Sequence, residues 1–122
     1  MRNILSRFIG ISVLLTLFLP HLVYAKRKAP PNVPPVISAG VRYVAPNDNG
    51  RRAYVQAFDI ATNKKLWELT IFRNFIDPSL EEDVQHVYIQ KMTLSDGKLI
   101  LVAEDGPTYT LDVKTRKIKK LK

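Results

Sequence analysis

A short phrase of residues occurs twice in this chain, and each copy joins two runs that read as β-strands. The Asp and Thr of the first copy recur 53 residues later. An Asp at a strand end can accept hydrogen bonds from backbone N–H groups two or three residues further on, and a Thr hydroxyl supports the same turn. The repeat therefore predicts two hairpins of the same construction. The residues are Ala57, Asp59, Thr62, Asn63 and Trp67 in the first copy, and Thr110, Asp112, Thr115 and Arg116 in the second.

The residues after Gly40 alternate between apolar runs and turn-forming residues. Tyr109, Leu111 and Val113 fall on one face of their run with polar residues between them, which is the period of a half-buried strand. Residues 99–102 are apolar on both faces, as in an interior strand. The pattern predicts an all-β fold, an antiparallel meander of about seven strands in two sheets. The predicted strands cover residues 41–46, 53–60, 65–72, 86–94, 98–104, 108–113 and 118–121.

Turn-forming residues separate these strands. We expect the Asn49-Gly50 pair to supply the positive φ values of a tight hairpin, and Asp96-Gly97 to close a later one. Between the two sets of strands, residues 77–83 read as one helical turn. Asp77 is its expected N-cap, followed by a proline at the first helical position.

The first 25 residues read as a signal peptide. Arg2 and Arg7 flank the start of an uncharged run over residues 8–19, and Val23 and Ala25 occupy the −3 and −1 positions of a cleavage site. The run is shorter than the roughly 20 apolar residues that span a bilayer. An uncleaved anchor or a buried helix is the alternative. We expect an exported chain beginning at Lys26, with membrane contact only through the signal peptide.

Residues 26–39 are basic and proline-rich, and they predict an extended segment before a β domain over residues 40–122. A spacer is favoured there over a ligand for a proline-recognition module. The chain has no Cys and no Asn-x-Ser/Thr sequon, which favours a bacterial periplasm or exterior. The net charge of +8 is concentrated near the two ends. Such ends attract anionic lipid, polysaccharide or nucleic acid, although solubilising ends are the simpler interpretation and export disfavours nucleic acid.

The repeated phrase resembles the blade repeat of quinoprotein-type (PQQ-like) β-propellers, in which a strand ends in a small residue and an Asp, turns through Thr-Gly, and continues into a strand carrying Trp. Ala57, Asp59, Thr62 and Trp67 match this pattern, and Asn63 stands at the Gly position. Asn is the residue that best tolerates left-handed φ after Gly. The resemblance implies two blade-like sheets, over roughly residues 40–72 and 86–121.

The second copy departs from that repeat. The strand and the Asp105-Gly106 turn that precede it look like the family's pattern, but Arg116 replaces Gly and Lys120 stands where Trp is expected. A closed propeller needs about four to eight blades, and this chain has material for two. The family's cofactor binds at the centre of a full ring. We therefore expect no cofactor here.

The remaining chemistry points to no reaction. His86 lies near three acids, Glu81, Glu82 and Asp83, but the stretch lacks the regular oxygen spacing and turn-forming Gly of a hard-cation loop. We expect no catalytic, cofactor-binding or metal residues, and a module that contacts an unknown protein or envelope component, with oligomerisation left open. A small glycan- or ligand-binding module is the alternative, and an enzyme the third. A candidate aromatic strip, for which core packing is the favoured role, consists of Tyr43, Tyr54, Phe58 and Tyr88.

Trp67 is the single Trp of the chain. Leu69 and Ile71 follow it at strand spacing, so the three side chains form an apolar stripe on one face. We expect Trp67 to be buried between the two sheets. The competing interpretation makes it an exposed platform on which a sugar or partner stacks.

Overall fold

The computed structural model describes residues 29–121, so the predicted signal peptide lies outside the described residues. Within this range the chain forms eight strands and one 3-10 turn. The strands are β1 (Val36–Ser38), β2 (Val41–Val44), β3 (Arg52–Asp59), β4 (Lys65–Arg73), β5 (Ile89–Ser95), β6 (Lys98–Ala103), β7 (Thr108–Asp112) and β8 (Ile118–Lys120), and the 3-10 turn spans Asp83–Gln85.

The strands form two antiparallel four-stranded sheets, in the orders β1-β2-β3-β4 and β5-β6-β7-β8. Within each sheet, every strand pairs with the next one along the chain, so both sheets are meanders. The predicted all-β, two-sheet architecture is confirmed. The prediction of about seven strands omitted β1, which follows Pro35 directly and pairs with β2.

The proline-rich segment packs on the first sheet. Val33 is 6% exposed and belongs to the core, and the Asn47 side-chain amide donates a hydrogen bond to the Pro31 carbonyl at 2.9 Å. Together with β1, these contacts show that the folded unit begins before residue 40, the predicted start of the domain. Residues 31–38 are therefore part of the fold rather than a free spacer.

One hydrophobic core lies between the sheets. Alternate residues of β3 and β6 point into it, because the two-residue period of a strand puts every second side chain on the same face. Across the interface, the rings of Phe72 and Tyr109 stack with centroids 5.1 Å apart. Fully buried side chains come from both sheets: Val55 and Ala57 from the first, and Ile89, Leu99, Leu101 and Leu111 from the second.

The two sheets meet through faces that are not equivalent. In the first sheet, Ala57 of the repeated phrase is buried in the core and Phe58 points outward. In the second sheet, Thr110 occupies the position of Ala57 and points outward with Asp112, whereas Leu111 is buried. The face that carries the repeated phrase is therefore covered in the first sheet and open in the second.

The predicted turn between β2 and β3 differs from the structure. Positive φ in the β2–β3 connection occurs at Asn47 (53°), and neither Asn49 nor Gly50 adopts it. Gly50 is required for another reason, since a side chain at this position would overlap the imidazole ring of His86. The Asp96-Gly97 hairpin, in contrast, has positive φ at both residues, as predicted.

A short helical turn does lie between the two sheets, as predicted, but not over residues 77–83. Asp77 accepts hydrogen bonds from the backbone N–H and hydroxyl of Ser79 at 2.9 and 2.7 Å. It therefore closes a tight turn instead of capping a helix. The 3-10 turn forms later, at Asp83–Gln85. No helix among residues 29–121 is long and apolar enough to cross a membrane.

Candidate functional site

The first copy of the repeated phrase forms the turn between β3 and β4. The Asp59 carboxylate accepts hydrogen bonds from the Thr62 backbone N–H at 2.9 Å and from its hydroxyl at 2.8 Å. Asn63 donates its N–H to the Asp59 carbonyl at 2.7 Å and has a φ of 60°. The bonds to Asp59 lower the pKa of its carboxyl, with the Thr62 hydroxyl making the largest contribution.

The second copy forms the matching turn between β7 and β8. The Asp112 carboxylate accepts hydrogen bonds from the N–H groups of Lys114 and Thr115 at 2.8 and 3.0 Å. Arg116 donates its N–H to the Asp112 carbonyl at 2.7 Å and adopts a φ of 63°, although it is not a glycine. These backbone bonds lower the pKa of Asp112. The residue types of the phrase therefore produce the same backbone geometry in both sheets.

Trp67 lies between the sheets but is half-buried rather than fully buried. Its ring is tilted against Tyr43 with centroids 6.0 Å apart. On the side of the second sheet, the Arg116 guanidinium lies 5.6 Å from the ring centroid, within the range of a cation–π contact. Arg116, which stands at the position of Asn63 in the second copy, thus joins one copy of the phrase to the other.

The cross-strand register corrects the predicted counterpart of Trp67. Trp67 pairs with Ala57, and in the second sheet Lys119 pairs with Thr110. A register shift next to Ala57 uses one extra residue in β4, and β8 has no such shift. Lys119, rather than the predicted Lys120, therefore occupies the place of Trp67.

The open face of the second sheet contains a shallow hollow of about 270 Å³. No ion pair joins its lysines to any residue within 29–121, but Lys98 lies close enough to Asp112 to contribute to its lowered pKa. From the sequence, these C-terminal lysines were predicted only to form a basic end of the chain. A signal for the hollow was nevertheless present in the sequence, because Lys117 and Lys119 are two residues apart. The hollow is lined by Lys98, Thr110, Asp112, Thr115, Lys117 and Lys119.

The outer face of the first sheet is polar but internally paired. Glu68 accepts hydrogen bonds from Gln56, Arg52 and Lys65 at 3.0, 2.9 and 3.1 Å. These three donors, Gln56 first, hold the pKa of Glu68 at about 2. Glu68 is therefore paired on this face, whereas the lysines of the hollow form no ion pair with any of residues 29–121.

The four aromatic residues of the candidate strip do not form a common surface. Tyr43 and Tyr88 are buried. Tyr54 and Phe58 lie on the outer face of the first sheet, where Arg52 and Arg42 cover their rings at 4.2 and 5.0 Å. Burial, and then the hydrogen bond to Asp48, raise the pKa of Tyr54 to about 12. Guanidinium groups thus occupy the ring faces that a sugar would need for stacking.

The connection between the sheets is held by side chains. Arg51 donates two hydrogen bonds to Glu82, the one from Nε being 2.6 Å long, and the imidazole of His86 lies 3.0 Å from the same carboxylate. Arg51 first, and then His86, lower the pKa of Glu82 to about 2. Asn74 donates side-chain hydrogen bonds to the carbonyls of Gly50 and Gln85. These contacts give His86 and Glu82 a structural role.

The acids considered with His86 do not form a metal site in this part of the chain. Among residues 29–121, no three His, Cys, Asp or Glu side chains are grouped so that they could hold an ion. Asp105 is exposed in the β6–β7 connection, where Gly106 adopts a φ of 116° and donates its N–H to the Ala103 carbonyl at 3.0 Å. These two residues therefore shape a turn.

Strand β4 forms an open edge of the first sheet. Its nine residues pair only with β3, so no strand of the described chain pairs with its other side. Leu66, near its start, is 51% exposed, and Phe75, two residues beyond its end, is 83% exposed. Lys65 and Arg73 stand at its two ends, and it contains no proline.

No family model matches the chain, and no curated protein matches it.

Proposed function

We propose that this chain is an exported, non-catalytic β module that acts by binding a protein partner along strand β4. The observation that carries the proposal is the unpaired edge of this nine-residue strand. An open strand edge presents a row of backbone N–H and C=O groups, and an extended segment of another protein can pair with them as an additional strand.

The exposed apolar side chains near β4 support a protein partner. Leu66 and Phe75 lie near the two ends of the strand, and a partner segment along the edge would cover them. Charged residues are the usual protection of an open edge. In β4, Lys65 and Arg73 stand at the ends, and the acid between them, Glu68, is bonded to donors on the outer face of its own sheet. Apolar residues on the partner segment would match this surface.

The expected export of the chain agrees with this proposal. A signal peptide over residues 1–25 would deliver the module to the envelope or the exterior. The covered rings of Tyr54 and Phe58 favour a protein partner over the alternative of a glycan. The proposal assigns His86 to structure, since its imidazole contacts Glu82 and Tyr88.

Site-specific photo-crosslinking in the producing cell tests the proposal. The photoreactive residue p-benzoyl-phenylalanine replaces Leu66 in one variant and Phe75 in another. The control variant carries it at Ile37, which is 64% exposed on β1, the opposite edge of the same sheet. We expect one protein adduct of the same mass from positions 66 and 75, and none from position 37.

Hydrogen exchange then identifies the mode of binding. The amides of β4 that point away from β3 should exchange rapidly in the free protein and become protected when the crosslinked partner is added. Labelling at position 37 as strong as at position 66, or unchanged exchange in β4, would refute binding along this edge.

A further inference from the structure

We infer that the hollow on the open face of the second sheet binds a phosphate monoester, held by Lys98, Lys117 and Lys119. This site lies on β6, β7 and β8, away from β4. The inference therefore does not depend on the proposed protein contact.

The first argument is the charge of the hollow. It contains three lysines and one acid, Asp112, and none of the lysines forms an ion pair within the described chain. The carboxylate of Asp112 is occupied by two backbone N–H groups. The net charge of the group is thus about +2, which matches the −1.5 to −2 charge of a phosphate monoester near neutral pH.

The second argument is the donor set. Ammonium groups bind phosphate oxygens as point charges, each with three donor hydrogens. Thr110 and Thr115 add hydroxyl groups to the lining of the hollow. A volume of about 270 Å³ accommodates a phosphate together with part of the group that carries it.

The third argument comes from the equivalent face of the first sheet. There, Tyr43, Ala57 and Trp67 lie side by side on the strands and pack against the other sheet. The corresponding row of the second sheet contains Ile100, Thr110 and Lys119. Two of the three positions used for apolar packing in the first sheet, those of Ala57 and Trp67, therefore carry a hydroxyl and an ammonium group in the second, where both line the hollow.

Titrations followed by amide NMR test the site. Three probes share the phosphate chemistry but differ in source: inorganic phosphate, glucose 6-phosphate, and phosphatidylcholine vesicles that contain phosphatidic acid. We expect the amide signals of Thr110, Asp112 and Thr115 to shift with the first two probes, and vesicle binding if the source is a lipid headgroup. Vesicles of phosphatidylcholine alone and glucose are the uncharged controls.

A pair of neighbouring variants provides the matched control. Lys119→Gln and Lys120→Gln remove the same charge from adjacent residues of β8, but only Lys119 lines the hollow. We expect Lys119→Gln to weaken binding about tenfold, as for the loss of one charged hydrogen bond. Lys120→Gln should change it less than about twofold.

Two results would overturn the inference. Equal weakening by both variants would indicate attraction to the basic end of the chain without a defined site. The absence of shifts with every phosphate probe at low ionic strength, where such contacts are least screened, would show that the hollow binds no phosphate. Neither result would affect crosslinking at β4.

Discussion

The two sheets have the same strand order and the same closing turn, yet their corresponding faces meet different surroundings. The turns at Asp59 and Asp112 share their backbone hydrogen bonds and the bond from the Thr backbone N–H to the Asp carboxylate. The face beside the first turn is apolar and buried, whereas the face beside the second carries lysines and is open. The repeated phrase therefore specifies a local backbone shape, and the residues around it decide whether the neighbouring face packs against the other sheet.

The largest expected difference in the free energy of unfolding is between substitutions at Trp67 and at its counterpart, Lys119. Trp67→Ala should lower the free energy of unfolding by about 3 kcal/mol, the low end of the range for core aromatic residues, because the ring is only half-buried. Lys119→Ala should change it by less than about 0.5 kcal/mol. Urea unfolding followed by circular dichroism measures both variants, since the first lacks the only Trp.

The environment of Trp67 itself can be measured in the unmodified protein. Contacts with Tyr43 and Arg116 predict an emission maximum and acrylamide quenching between those of a buried and a free indole. Quenching as strong as in urea-unfolded protein would contradict the packing of Trp67 between the sheets.

The next largest effect on stability should distinguish the two turns of the repeated phrase from the Asp96-Gly97 hairpin. Asp59→Ala and Asp112→Ala each remove a carboxylate that accepts two hydrogen bonds, whereas Asp96 accepts none from the described residues. We expect the first two variants to lower the urea midpoint by similar amounts, and more than Asp96→Ala does. If Asp59→Ala and Asp96→Ala have the same midpoint, the phrase has no special part in stability.

The stability that Glu68 gives to the first sheet should depend on pH. Glu68 has a pKa of about 2 in the folded protein against an ordinary value of 4.5, so its carboxylate stabilises the fold above pH 4.5. This contribution is lost as the pH falls from 4.5 towards 2. Glu68→Gln should therefore lower the urea midpoint at pH 7 and leave it unchanged near pH 2. Glu81→Gln is the control, because Glu81 is exposed and forms no ion pair within the described part of the chain.

The smallest effect on stability is expected at Arg116, which adopts left-handed φ although it is not a glycine. Arg116→Gly removes the cost of left-handed φ but also the contact with Trp67, and each term is about 1 kcal/mol. We expect a net change in unfolding free energy within about 0.5 kcal/mol. Arg116→Ala keeps the backbone cost and loses the contact, so it should be the less stable of the two. Equal stability of the two variants would contradict this balance.

Much of the fold could be predicted because its signals are local. Alternating polarity located seven of the strands within a few residues, and the hydrogen-bond chemistry of Asp59 and Thr62 predicted the turn. β1 was omitted because three residues next to a proline carry too little alternation to mark a strand. Gly50 could not be interpreted correctly, since the group that requires it, His86, is 36 residues away.

The candidate sites depend on tertiary information to different degrees. The open edge of β4 follows from strand order, which alternation does not specify. The hollow required the register of β7 and β8, because a shift of one residue decides whether Lys119 or Lys120 points towards Thr110. The basic residues near the C-terminus were visible in the sequence, but their common face was not.

The non-equivalent contact between the sheets has a consequence for self-assembly. A contact of this kind is head-to-tail, and repeating it through further copies of the chain would produce a ring or an open filament. The two faces left at the ends of the pair both carry more cationic than anionic groups, with Arg42, Arg52 and Lys65 at one end and the lysines of the hollow at the other. Like charges at both ends should therefore oppose the addition of another copy through these faces.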